Sequence, residues 1–156
     1  MGADRATMNL VLESVPQREP FRFIDEILEL DETHIVGSYR FREDEYFYKG
    51  HFPGRPITPG VILIETMAQT GVVAFGIYLA MTEWHLPAAE LGSVMTLFTH
   101  ADNVEFTGLV EPGERVIVQG EKVYLRRRNL KAKISMMRES GGEVCSGILA
   151  GLAVPA

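Results

Sequence analysis

The sequence VILIETMAQTGVVAFGIYLA, residues Val61–Ala80, decides the fold of this chain. Fourteen of its twenty residues are apolar and none is proline, which predicts a helix about 30 Å long. Because apolar residues lie nearly all round this helix, we expect it to be buried on most sides. A loop rich in proline and glycine, His51–Gly60 (HFPGRPITPG), precedes it, and Pro59 is tolerated at a helix start because the N–H it lacks would be unpaired there.

The composition predicts a single soluble domain. A chain of 156 residues can bury one core, and 46% hydrophobic with 23% charged residues is ordinary for a globular protein. The net charge of −6 argues against nucleic acid as the main partner. A single cysteine, Cys145, excludes an internal disulfide, and the N-terminus lacks the apolar region of a signal peptide. We therefore expect a cytoplasmic protein.

The apolar run 61–80 is long enough to cross a membrane. However, Glu65, Thr66, Gln69 and Thr70 fall in its first half, and the chain has no second run of this kind. The pattern therefore favours a core helix wrapped by other elements over a membrane span.

Alternating apolar and polar residues on either side of this helix predict about six strands. Residues 1–8 are expected to form a flexible tail, and residues 9–156 a single domain that starts with a short helix at 9–15. One antiparallel sheet curled round the helix would bury it, which gives an α+β hot-dog fold. The predicted strands are 21–30, 35–41, 94–107 with a bulge near 99–102, 115–125, 130–137 and 144–154.

The segments His51–Gly54, Pro59–Val61 and Glu65–Gln69 resemble the active-site signature of the 3-hydroxyacyl-[acyl-carrier-protein] dehydratases. The spacing of fourteen residues from histidine to glutamate matches that family, and the resemblance extends to 16–27 and 101–113. It implies that His51 and Glu65 form the catalytic pair, one from each subunit of a homodimer. It also implies that the Gly60 N–H binds the thioester carbonyl.

The same resemblance implies further partners and supporting residues. The substrate would be an acyl chain linked through phosphopantetheine to acyl carrier protein, no cofactor would be needed, and the dimers would assemble as a trimer of dimers. Gln69, one turn beyond Glu65, would orient its carboxyl group. Three residues adjoining the motif would support the site: Phe52, Pro53 and Val61.

These residue types suit the chemistry of dehydration. A base must take the C2 proton, and histidine, as at position 51, is the side chain most often used as a general base. An acid must protonate the departing hydroxyl, which Glu65 can do if burial keeps it protonated. A donor must hold the charge developing on the thioester oxygen, and the Gly60 N–H lies at a helix N-terminus. Whether Glu65 acts directly or through a bound water stays open.

Four positions refine the resemblance. Glutamate at position 65 is typical of FabZ-like dehydratases, whereas aspartate is typical of FabA-like dehydratase–isomerases. Gln17 stands where the family has histidine, Thr58 where an apolar residue is common, and Thr66 where alanine is usual. None of these differences removes a catalytic atom, but the threonines make the surroundings of the motif more polar.

The only dense basic run is 126–133, with Arg126, Arg128 and Lys131 as candidates for docking an acidic carrier protein or its phosphate. Alternation along a strand would place Arg126 and Arg128 on one side and Arg127 on the other. A solvated turn without a partner is the alternative interpretation.

Two other functions remain open from the sequence. A hot-dog thioesterase would use Glu65 to activate water and would have little need of His51, and an enoyl-CoA hydratase would act on coenzyme A thioesters instead. A non-catalytic acyl-binding subunit would have no use for an acid–base pair. No His, Cys, Asp or Glu cluster has the spacing of a metal site, so no metal is expected.

Overall fold

A computed structural model describes residues 2–155 of the chain. Six strands form one antiparallel sheet in the order β1-β2-β4-β5-β6-β3, as the sequence predicted. Two precede the central helix and four follow it. The strands are β1 (Glu26–Leu30), β2 (His34–Arg40), β3 (Val94–Phe106), β4 (Arg115–Arg126), β5 (Asn129–Arg138) and β6 (Glu143–Pro155).

The central helix covers Gly60–Glu83 and consists of three consecutive parts: α2 (Gly60–Ala68), a π-helical segment (Gln69–Ala74) and α3 (Phe75–Glu83). Of its most apolar 18-residue window, 72% is buried inside the chain, which identifies a core helix. The π-helical segment lies closest to the sheet, because a Cβ added at Gly71 would lie 2.4 Å from the Ile134 side chain. Only glycine permits this approach between helix and sheet.

The first helix, α1 (Arg5–Ser14), begins earlier than the sequence predicted. Asp4 caps it by accepting a hydrogen bond from the Thr7 N–H at 2.8 Å, and Met8 is buried. The expected flexible tail over 1–8 is therefore wrong from Asp4 onwards, because a capping aspartate and an apolar contact both fix this turn. Met1 lies outside the described residues.

The predicted strand 21–30 is also shorter than expected, since β1 begins at Glu26. The Gln69 side chain forms hydrogen bonds with the backbone that precedes β1. Its Oε1 accepts from the Phe23 N–H at 2.7 Å, and its Nε2 donates to the Phe21 carbonyl at 3.0 Å. A buried amide on the central helix thus replaces the sheet partners that these residues would otherwise need.

Strand β3 forms one edge of the sheet and pairs only with β6. It is a single long strand with irregularities between Phe98 and His100 and between Asp102 and Glu105, as predicted. Its exposed apolar residues are Met95, Leu97, Phe98 and Phe106. The rest of the chain buries most of the central helix, but Val61 at its start is 72% exposed. Together with β3, this end of the helix presents apolar surface to solvent.

Candidate active site

The His51 side chain is oriented by the loop that precedes the central helix. Its Nδ1 lies 2.8 Å from the Ile57 carbonyl oxygen. Because a carbonyl can only accept, Nδ1 must carry the proton, and the neutral ring then has its lone pair on Nε2. The Phe52 ring stacks on the imidazole with 4.1 Å between centroids. His51 is therefore held in the tautomer that a general base requires.

Glu65 lies on the second turn of α2, half-buried among apolar neighbours. Desolvation raises the pKa of its carboxyl group, while a hydrogen bond from Gln69 Nε2 to Glu65 Oε1 at 3.0 Å opposes that rise. The net effect favours the protonated acid more than solvent would. The sequence prediction that Gln69 hydrogen-bonds this carboxyl group agrees with the geometry.

The N-terminus of α2, on the same helix as Glu65, offers free hydrogen-bond donors. Its N-cap residue, Pro59, makes no side-chain capping hydrogen bond, and the first N–H groups of a helix have no partner within it. Gly60 is the first helical residue, and a Cβ there would lie 3.1 Å from the Phe106 ring. An anionic oxygen placed at this end would be stabilised by both the donors and the helix dipole.

His51 and Glu65 make separate contacts within the chain. No hydrogen bond joins them within residues 2–155, and neither of the two cavities described below is lined by both. Val61 and Phe52, which adjoin these groups, are 72% and 51% exposed. Pro53 is exposed as well.

The two threonines that differ from the expected motif are buried and satisfied. The Thr58 hydroxyl lies 2.7 Å from the Tyr48 hydroxyl, and Thr66 Oγ1 donates to the Ile62 carbonyl at 2.7 Å. Neither hydroxyl is left to act on a ligand. They therefore change the packing of the motif rather than its chemistry.

A small cavity, partly open to solvent, lies beside Glu65. Residues of the central helix, β3 and β6 line it, together with Gln17. A second, largely apolar cavity, partly open to solvent, lies along the C-terminal half of the central helix. Val72, Thr96 and Gly151 line both cavities and lie between them. Trp84 and Arg128 lie at the second cavity, with the Arg128 guanidinium 5.8 Å from the Trp84 ring centroid.

Sequence reasoning did not single out Trp84, and it noted Gln17 only as a departure from the family. In the structure Gln17 and Glu65 line the same cavity. The available signal was the histidine expected at this position, since Gln17 departs from the family within the segment 16–27 that otherwise resembles it.

The basic run divides into two groups. The Arg126 guanidinium and the Lys131 ammonium lie 4.5 and 5.7 Å from the centroid of the same Tyr124 ring, whereas Arg128 lies over Trp84. Arg127 and Arg128 have φ values of 49° and 65° and form the turn between β4 and β5. The expectation that Arg126 and Arg128 share one side of a strand is therefore wrong, because a turn does not alternate.

Two comparisons show which known proteins have sequences similar to that of this chain. Residues 15–147 match the sequence model of the FabA-like domain. The 3-hydroxyacyl-[acyl-carrier-protein] dehydratase FabZ of Caldicellulosiruptor saccharolyticus is 34% identical over 140 residues, which cover 89% of this chain and 92% of that protein. FabZ of Roseiflexus sp. is 35% identical over 146 residues, covering 92% and 93%.

Solved structures agree on the fold. A chain of the dehydratase heterocomplex ApeI:P from Xenorhabdus doucetiae superposes with a TM-score of 0.74 at 14% identity, covering 92% of this chain and 90% of that one. A hypothetical thioesterase from Streptococcus pneumoniae, solved with coenzyme A, gives a TM-score of 0.55 at 10% identity, covering 98% of both chains. Identities this low show the fold alone.

Proposed function

The chain belongs to the FabA-like family, and on that basis we propose that it removes water from (3R)-3-hydroxyacyl thioesters of acyl carrier protein to give trans-2-enoyl thioesters. The relatives named as FabZ dehydratases span nearly the whole chain and support this activity. The observation that carries the proposal at the level of residues is the contrast between two side chains. His51 has a free lone pair on Nε2, and burial favours a proton on Glu65.

The reaction then follows from the roles of His51 and Glu65. His51 Nε2 takes the C2 proton while the Gly60 N–H stabilises the charge that develops on the thioester oxygen. The C3–O bond breaks as Glu65 gives its proton to the departing hydroxyl, so that water leaves and the C2–C3 double bond forms. The pair is left as imidazolium and carboxylate and returns to its starting state by proton transfer. No cofactor takes part in these steps.

A homodimer would complete the site. The free edge of β3 with its exposed apolar residues would pair with a second copy. Val61, Glu65 and the 98–101 segment of β3 line one open groove on this face, where the partner's His51 would enter. Phe52, Pro53 and Val61 would be covered there, and dimers would further assemble as a trimer of dimers.

The remaining parts of the substrate would use the rest of this surface. The acyl chain would run from Glu65 through the junction at Val72, Thr96 and Gly151 into the apolar cavity. Arg126 and Lys131 would contact the acidic carrier protein or the phosphate of its phosphopantetheine, and the chain would work in the cytoplasm. Arg128 is directed to Trp84 instead.

An absorbance assay with a crotonyl thioester tests the activity, using carrier protein and coenzyme A as alternative carriers. Loss of enoyl absorbance measures hydration, which is the reverse of dehydration, and free thiol measures hydrolysis. Hydration that His51→Ala and Glu65→Ala each abolish, without thiol release, supports the dehydratase. Thiol release that survives His51→Ala but not Glu65→Ala would identify a thioesterase. Preference for coenzyme A would favour an enoyl-CoA hydratase, and inactivity with every acyl length would favour an acyl-binding subunit.

A further inference from the structure

Gln17 presents a buried polar atom that nothing satisfies among residues 2–155. Its side-chain Oε1 is inaccessible to solvent and has no hydrogen-bond partner in this part of the chain. An acceptor left in this state costs about 1–3 kcal/mol, and native proteins leave few of them. Gln17 also lines the cavity that Glu65 lines. An unpaired acceptor thus belongs to a residue at the wall of this cavity.

The position of Gln17 is fixed by its neighbours. Its backbone carbonyl accepts from Arg22 Nη1 at 3.2 Å and from Arg18 Nη1 at 3.3 Å. Arg22 also donates to the Leu12 carbonyl at 2.7 Å, which ties this turn to the end of α1. Two guanidinium groups thus hold the backbone, while the side-chain Oε1 has no hydrogen-bond partner among residues 2–155.

We propose that Gln17 Oε1 accepts a hydrogen bond from the 3-hydroxyl group of the substrate. This inference rests on the proposed function and adds a substrate contact to it. The 3-hydroxyl is the only hydrogen-bond donor on the acyl part of a 3-hydroxyacyl thioester. The Glu65 carboxyl group must donate its proton to the same oxygen, so that proton cannot also form a hydrogen bond with Gln17.

The contact would also orient the leaving group. When the hydroxyl donates its hydrogen to Gln17, its lone pairs stay free to accept a proton, and Glu65 lines the same cavity. The oxygen can then accept the proton without rotating, which is the alignment that general acid catalysis needs. Because an amide does not titrate, this contact persists at every pH at which the enzyme is folded.

Binding measurements in an inactive background separate this role from a structural one. The background is His51→Asn, and the ligands are 3-hydroxydecanoyl and decanoyl pantetheine thioesters, which differ only in the hydroxyl. In this background Gln17→Leu should raise the Kd of the hydroxylated ligand about five- to tenfold, as expected for one lost hydrogen bond. The Kd of the decanoyl ligand should not change. Gln17→His retains an acceptor and should keep the preference for the hydroxylated ligand.

Two outcomes would overturn the inference. Gln17→Leu could retain the full preference for the hydroxylated ligand, which means that Oε1 binds only a water or an atom of the partner subunit. It could instead weaken both ligands equally, which means that Gln17 shapes the cavity. Either result leaves the dehydratase proposal intact, since that depends on whether the wild-type enzyme forms enoyl thioester in the absorbance assay.

Discussion

Gln69 donates a hydrogen bond from its Nε2 to Glu65 Oε1 at 3.0 Å, and its own Oε1 accepts from the Phe23 N–H. The proposed catalytic acid is therefore connected through one fully buried amide to the segment ahead of β1. The same side chain performs two tasks, since it both orients the carboxyl group and satisfies buried backbone groups.

Gln69→Leu should lower stability and activity together. It would leave the backbone groups of Phe21 and Phe23 without partners, at about 1–3 kcal/mol for each group that stays buried. It would also raise the pKa of Glu65 further, because the hydrogen bond from Gln69 lowers it. Denaturant unfolding and the pH profile of dehydration measure both effects.

Thr66→Val is the matched control for that experiment. Thr66 is equally buried on the same helix, and its hydroxyl contacts only a backbone carbonyl of its own helix. The free energy of unfolding of Thr66→Val should stay within about 1 kcal/mol of the wild-type value. An equal loss in both variants would show that Gln69 acts only through general packing of the helix.

Glu65→Gln should abolish most activity while making the protein more stable at neutral and alkaline pH. An amide has no acidic proton, so the rate should fall about 10²- to 10⁴-fold. Desolvation raises the folded-state pKa of Glu65, so the folded chain binds more protons than the unfolded chain and loses stability as pH rises from the unfolded toward the folded value. Gln lacks this penalty.

Melting temperatures of wild type and Glu65→Gln between pH 4 and pH 9 test the sign of that effect. The difference in favour of Gln should grow with pH until Glu65 is fully ionised and then level off. In parallel, wild-type dehydration should decline as pH rises through the same range, because the acid loses its proton. A difference in melting temperature that shrinks with pH would contradict the raised pKa.

Mixed dimers should reveal a site shared between subunits. His51→Ala and Glu65→Gln are each inactive alone, but a dimer containing one of each retains one intact pair if the site crosses the interface. Random exchange of equal amounts should recover about a quarter of wild-type activity, because half of the dimers are mixed and each has one of two sites. No recovery after verified exchange would place both groups in one chain's site.

A charge on the free edge of β3 should prevent formation of the dimer. Leu97 is 52% exposed on this strand, and Leu97→Lys should give a folded monomer with little activity. Val123→Lys, on a strand in the middle of the sheet and 54% exposed, is the matched control and should remain a dimer. Size-exclusion chromatography with light scattering reads the result directly.

Trp84→Ala should shift the enzyme toward longer acyl chains. Trp84 lies at the end of the apolar cavity farthest along the helix from Glu65, so removing the indole would lengthen the space for the chain. The values of kcat/KM for thioesters of increasing length should show a new optimum, with the short chains little changed. An unchanged optimum would mean that the acyl chain does not reach this cavity.

Arg126→Glu combined with Lys131→Glu should raise KM for substrates on carrier protein only. Both cations lie over the Tyr124 ring, so reversing them places negative charge where an acidic partner would bind. The KM for pantetheine thioesters serves as the internal control and should stay constant. Added salt should weaken carrier binding in wild type and reduce the difference between the proteins.

The sequence was sufficient for the order of the elements. Residues 61–80 predicted the buried helix, and alternating residues predicted six strands with a bulge in the long one, because local periodicity reflects which faces a core must bury. It was insufficient at 1–8 and 21–25, where a cap at Asp4 and a side chain from the distant Gln69 set the structure.

The motif from His51 to Glu65 likewise determined which chemistry the protein can perform, because an imidazole, a carboxyl group and a helix N-terminus are fixed by residue type and spacing. Only the tertiary structure decided how these groups are prepared. It set the proton on His51 Nδ1, the desolvation of Glu65 and the unsatisfied acceptor of Gln17. The first property depends on how the loop from His51 to Ile57 folds, and the other two depend on burial. Residue types and their spacing do not encode any of the three.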